Sequence, residues 1–148
     1  MKRVCSIVLA LCVVASVRSS SHGTPQPKTL GGIQLQPGFQ HMLLGGMDMR
    51  RGRIWKANGP EIVYEIGPLA DNPALRHHKA GETAWLRTVR LAKQPFAIAL
   101  AKDDETVWAA FPEHLASFTA THVRSKEDMA DLILMLATFD GVAAFQGK

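Results

Sequence analysis

The sequence predicts an α+β domain: a mostly antiparallel β-sheet of about five to seven strands built from hairpins, with a C-terminal α-helix packed on one face. Three observations predict it. Short apolar or alternating runs recur between turn residues from Ile33 to Val123. These runs do not alternate with helical segments, which argues against a parallel doubly wound sheet. One apolar stripe of helical period follows a capping signature near the C-terminus.

Ile33 and Leu35 alternate with Gln34 and Gln36, which reads as a short strand before the Pro37-Gly38 turn. Phe39 to Leu44 reads as a second, and Gly45-Gly46 breaks it. Gly52 to Ala57 and Glu61 to Ile66 flank Asn58-Gly59-Pro60, the strongest hairpin signal in the chain. The proline makes the loop longer than two residues. Gly67 to Gly81 holds two prolines and reads as an irregular segment with one helical turn near Ala74 to His77. In Thr83 to Leu91, Trp85, Arg87, Val89 and Leu91 share one face, and Leu86, Thr88 and Arg90 take the other.

Pro95 to Ala101 is almost wholly apolar and fits a central strand covered on both faces. Lys102 to Glu105 is a charged turn, and Thr106 to Phe111 is the return strand, closed by Pro112. Ala116 to Val123 alternates and gives a further strand. Ser125 with Asp128 three residues on forms a capping box. Met129, Leu132, Ile133, Leu136 and Phe139 then recur at helical spacing until Gly141.

The N-terminus supplies the localisation. Lys2-Arg3 precedes an apolar run from Val4 to Val17, broken only by Ser6 and Ser16, and small residues follow. That is the pattern of a secretory signal peptide, and it falls short of the ~20 apolar residues a bilayer span needs. The expected organisation is a signal peptide over 1–22, a flexible Pro/Gly-rich linker over 23–32, and a single α+β domain over 33–148. Cleavage is expected between Ser19 and Gly23. The product is exported, to the periplasm or the extracellular space.

Removing residues 1–22 changes the chemistry of what remains. The chain of 148 residues carries 17 Lys and Arg against 13 Asp and Glu, a net +4. Lys2, Arg3 and Arg18 leave with the signal, so the mature chain has fourteen bases against thirteen acids. Near neutrality gives no footing for nucleic-acid binding through phosphate neutralisation. Both cysteines, Cys5 and Cys12, also leave. The mature domain therefore has no disulfide, no thiolate metal site and no cysteine nucleophile.

Several groups could carry chemistry. His77 and His78 are the candidate metal ligands, with His41, His114 and His122 as distant partners, although the spacing matches no zinc motif. Arg51 and Arg53, within the group Arg50, Arg51, Arg53 and Lys56, could contact an anionic ligand. Arg87 beside Trp85 could form a ligand shelf, while cross-strand pairing of Arg87 and Arg90 with Glu61 or Glu65 is the structural expectation. Trp55, Trp85, Trp108 and Tyr64 all fall on predicted strands and serve as core or as the lining of a pocket. Asp103-Asp104-Glu105 lacks a calcium-loop pattern and reads as a hairpin turn.

No Gly-x-Ser-x-Gly elbow and no phosphate-binding glycine loop occurs, so neither nucleophilic catalysis nor a cofactor is indicated. The function expected is a small secreted or periplasmic binding or accessory module without catalysis. It would meet a membrane only through its export signal, and its partner would be a protein or an envelope component. The alternatives are a small exported hydrolase using His77 or His78, and an envelope protein held by an uncleaved N-terminus.

Overall fold

A computed structural model describes residues 30–45 and 48–141. The expected signal peptide, residues 23–29 of the expected linker and the tail from residue 142 lie outside the described residues.

In chain order the elements are β1 (Phe39–Leu44), β2 (Arg50–Lys56), β3 (Glu61–Ile66), α1 (Pro73–Lys79), β4 (Thr83–Leu91), β5 (Gln94–Ala101), β6 (Val107–Phe111), β7 (Ala116–Thr121) and α2 (Lys126–Ala137). The strands form one sheet in the order β1-β2-β3-β7-β6-β5-β4, and each neighbouring pair is antiparallel. The chain runs a three-stranded meander, crosses over the sheet through α1 to the far margin, and meanders back until β7 meets β3. The α+β class and the C-terminal helix on the sheet are as the sequence predicts.

The two faces differ in what they bury. One presents Ile54, Ile62, Tyr64, Phe96, Phe111 and Phe118 to α2, whose Leu132, Met135 and Leu136 complete the main core. Phe139, just past the helix, packs 4.8 Å from the Phe111 ring and edge-on to Phe118. Apolar burial of this kind is the chief stabilising term of the domain. The other face is only partly covered. There Ala74 of α1 sits on Ala97 and Ala99 of β5, with Leu86 and Trp108 against them.

Helix α2 begins as its sequence dictates. The Ser125 side chain accepts from Asp128 N at 3.0 Å, and Asp128 Oδ2 accepts from Ser125 N at 3.1 Å. Two ion pairs fix its course. Arg124 meets Glu105 of the β5–β6 turn at 3.0 Å, and Lys56 of β2 meets Asp131 at 3.5 Å.

Three expectations need correction. Ile33 and Leu35 are buried in the core but belong to no strand pair among the described residues; they alternate because an extended segment lies on the core, where Gln34 N donates to Thr138 Oγ1 at 2.8 Å. The segment from Gly67 to Gly81 holds more than one helical turn, because Asn72 caps Leu75 N at 3.1 Å and Pro73 pre-sets the first turn. Helix α2 ends at Ala137 rather than Gly141, with Thr138 Oγ1 donating back to Met135 O at 2.7 Å. In addition, β4 and β5 form a hairpin that the sequence does not signal, whose tight turn, Ala92-Lys93, has positive φ at both residues, 49° and 70°. Neither residue type signals such a turn.

Candidate functional site

The partly open face is built by register. Because side chains alternate across a strand, Arg51, Arg53 and Trp55 of β2 share this face with Glu61, Val63 and Glu65 of β3 and Ser117, Thr119 and Thr121 of β7. One transverse row runs Arg53, Val63, Thr119, Trp108, Ala99, Leu86 across β2, β3, β7, β6, β5 and β4. Neighbouring strands lie ~4.8 Å apart, so about 14 Å separates the backbones of Arg53 and Trp108. Helix α1 stands on the β4–β6 end of this row. The step it makes leaves Arg53, Val63 and Thr119 partly exposed in front of it.

Charge on the open half is cancelled locally. Arg51 Nε lies 2.9 Å from Glu65 Oε1. Arg53 Nη2 donates to Glu61 Oε2 at 2.8 Å, while its Nε approaches Oε1 at 2.7 Å too obliquely for a hydrogen bond. These side chains are 31–49% exposed, so the pairs add little to stability. Their effect is to fix both guanidinium planes and neutralise them. The Arg53 guanidinium also lies 5.2 Å from the centroid of the Trp55 ring, within cation–π range.

The far wall is His77. Its ring stacks on Trp108 at 3.9 Å with the planes 7° apart. Nδ1 lies 2.5 Å from Glu82 Oε2, and Nε2 lies 3.2 Å from Nη2 of Arg76, whose Nη1 pairs with Asp71. Both ring nitrogens are thus engaged. His78 turns elsewhere, to Thr83 Oγ1 at 2.8 Å. On a helix, adjacent side chains diverge by about 100°, so the two histidines do not converge. Among the described residues no three of His, Cys, Asp and Glu gather in a way that could hold a metal ion.

The remaining sequence candidates are scattered. Trp85 packs against the main core from β4, and Arg87 is exposed with its Nη1 donating to Leu86 O at 3.0 Å. The expected pairing of Arg87 and Arg90 with Glu61 or Glu65 is absent. Strand order puts β4 at the opposite end of the sheet from β2, so the two glutamates meet Arg51 and Arg53 instead. The guanidinium–indole contact expected at Arg87 and Trp85 occurs at Arg53 and Trp55. The acids after Lys102 make a turn: Asp103 Oδ1 accepts from the amides of Glu105 and Thr106, and Oδ2 from Thr106 Oγ1. The Thr106 hydroxyl, with these amides, holds the Asp103 carboxyl below its usual range. Glu82 and Trp108, which orient His77, carry no sequence signal, because the length of α1 decides what His77 meets.

A second polar pair lies on the core side. His41 Nε2 and the Tyr64 hydroxyl are 2.7 Å apart, with the rings stacked at 5.9 Å. Desolvation lowers the His41 pKa from its ordinary 6.5, which favours the neutral ring. A neutral ring protonated at Nδ1 accepts the Tyr64 proton at Nε2. A histidine whose pKa falls on folding binds fewer protons in the native state, so its contribution is full above pH 6.5 and fades as the pH falls below that value. We expect the urea midpoint to drop between pH 7.5 and 5.5, and His41→Gln to remove part of that drop. An unchanged pH profile in the variant would refute the assignment.

No family model, no curated protein and no solved structure matches this chain.

Proposed function

We propose that this chain is an exported, non-catalytic binding module, and that the open half of the second sheet face, in front of α1, takes a neutral polar ligand of the saccharide class. One observation carries the reading. The two arginines on that face are already neutralised by Glu61 and Glu65, which leaves an indole, hydroxyls and fixed hydrogen-bonding groups rather than a net positive charge. An anionic ligand would have to displace a carboxylate from each guanidinium. A sugar ring can lay its apolar face on Trp55 and direct its hydroxyls to Thr119, Thr121 and the carboxylate oxygens. The basic, apolar, small-residue N-terminus supports export.

The hydrolase reading has one observation in its favour, the 2.5 Å contact of His77 with Glu82. A general base, however, needs a free nitrogen aimed at a substrate. With Nδ1 held by Glu82, the lone pair of Nε2 faces the Arg76 guanidinium, and the ring lies flat on Trp108. His77 is better read as the pin that fixes α1 to the sheet.

The test is a thermal-shift screen of the protein, as the cell processes it, against neutral and acidic oligosaccharides, including peptidoglycan fragments. A ligand at 100 times its dissociation constant adds about 2.7 kcal/mol. We expect a neutral saccharide to raise the melting temperature and Trp55→Ala to abolish the rise. A shift that survives Trp55→Ala, or one given only by acidic sugars, would overturn the placement.

A further inference from the structure

Strand β4 is the longest in the sheet and ends it, with β5 as its ladder partner among the described residues. Alternate residues of an edge strand turn their N–H and C=O groups outward, where another extended chain can pair with them. Natural edges are usually short or covered. This one runs nine residues, about 30 Å, and Ala84, Arg87, Thr88, Val89 and Arg90 are exposed along it.

Its charge sets it apart. Arg51, Arg53, Lys56, Arg76 and Arg124 each meet an acid. Among the described residues the side chains of Arg87 and Arg90 hydrogen-bond only to backbone carbonyls, of Leu86 and Lys93. Lys93 in the β4–β5 turn and Lys79 at the end of α1 form no ion pair among the described residues, and Glu82 between them is held by His77. The opposite edge, β1, has no Lys, Arg, Asp or Glu within it. Lys102 in the β5–β6 turn and Lys126 at the start of α2 also form no ion pair among the described residues, but β4 is the open edge that carries two such arginines within the strand itself.

We propose that β4 is a docking edge for an acidic, extended peptide segment of a partner protein, which adds as an eighth, antiparallel strand. A second copy of this chain fits poorly, because β4 against β4 crowds four arginines onto a strip two strands wide. The spacing defines the partner. Arg87 and Arg90 are three residues apart and so emerge on opposite faces, and Val89 is 48% exposed on the Arg87 face. The complementary strand carries two acids three apart, with an apolar residue directly after the first: acid-apolar-x-acid. This surface is separate from the open sheet face and does not depend on the saccharide reading.

The probe is a synthetic peptide, acetyl-Thr-Glu-Val-Thr-Glu-Val-amide, titrated into the full chain as the cell processes it. Its N-methylated form, blocked at alternate amides, keeps the charge and loses the strand bonds. We expect saturable binding that weakens with salt, with amide NMR shifts concentrated over residues 85–91. N-methylation should weaken it at least tenfold. The double substitution Arg87→Glu with Arg90→Glu should abolish it and accept the Lys-x-x-Lys counterpart instead. Equal binding of the N-methylated peptide, shifts confined to β1 or to the open face, or binding of phosphatidylglycerol vesicles without binding of the peptide would each overturn the proposal. The N-methyl comparison uses the unsubstituted protein, so it stands even if the charge reversal fails to fold.

Discussion

Gly52→Ala will destabilise the domain by about 3 kcal/mol or more, at the upper end of what overpacking costs. Gly52 lies in the middle of β2, directly opposite Tyr64 in β3. A strand interior ordinarily disfavours glycine, by roughly 0.5–1 kcal/mol against alanine. Here the missing side chain is a requirement of space. A Cβ at this position would lie 2.1 Å from Tyr64 Cζ and 2.2 Å from its hydroxyl oxygen. The ring cannot retreat: it is fully buried, stacked 6.0 Å from Phe118, and its hydroxyl meets His41. Urea unfolding of Gly52→Ala, alone and with Tyr64→Val, tests this. Relief of the clash in the double variant predicts a coupling of at least ~1 kcal/mol. A single variant within 0.5 kcal/mol of the parent would show that the ring is not pressed onto the backbone of β2.

Phe111→Ala will cost about 4 kcal/mol. Its ring is the hub of the aromatic core, 4.9 Å from Phe96, 4.8 Å from Phe139 and 5.9 Å from Phe118. Those partners come from β5, the exit of α2 and β7, so removing one ring leaves a cavity lined by three others. Large-to-small changes are costly when the walls cannot collapse, and rings held on three separate elements cannot. The loss is measured by the same unfolding curves, with near-UV circular dichroism reporting the aromatic packing. Phe111→Leu should recover more than half of it by refilling most of the volume. A Phe111→Ala loss under 1.5 kcal/mol would place the hub elsewhere.

How much of this was readable follows from how local each feature is. The start of α2 is read correctly because Ser125 and Asp128 bond to each other's backbone amides three residues apart. The hairpin of β2 and β3 is read for a similar reason: Asn58 adopts φ 56° and the loop closes between Lys56 and Pro60 within five residues. The β4–β5 hairpin is missed because Ala92 and Lys93 take up a left-handed turn that their side chains do not favour. The pairing along the strands imposes it. The burial of Ile33 and Leu35 is read correctly and its cause is not. Alternation reports which side chains face the core, whether or not a neighbouring strand is present.

The site shows the same division. Arg51 and Arg53 stand out in the sequence as basic residues on one face of a strand, and that holds. What neutralises them depends on which strand lies beside β2. His77 stands out as a histidine in a long connection, and its meaning came from Glu82 and from Trp108, which lies thirty-one residues on along the chain.

The sequence by itself determined the class, the C-terminal helix and the seven strand-forming segments. Periodicity, caps and composition are set by residues a few positions apart, so their free energies can be read from the chain directly. Only the tertiary structure decided that β7 inserts beside β3, that α1 covers half of a face, and that β4 ends the sheet with its arginines uncompensated. An alternating strand is equally ready to pair with any other. The choice among them is made where Phe118 of β7 meets Tyr64 of β3 and Phe111 of β6, a contact whose worth exists only once all three strands are in place.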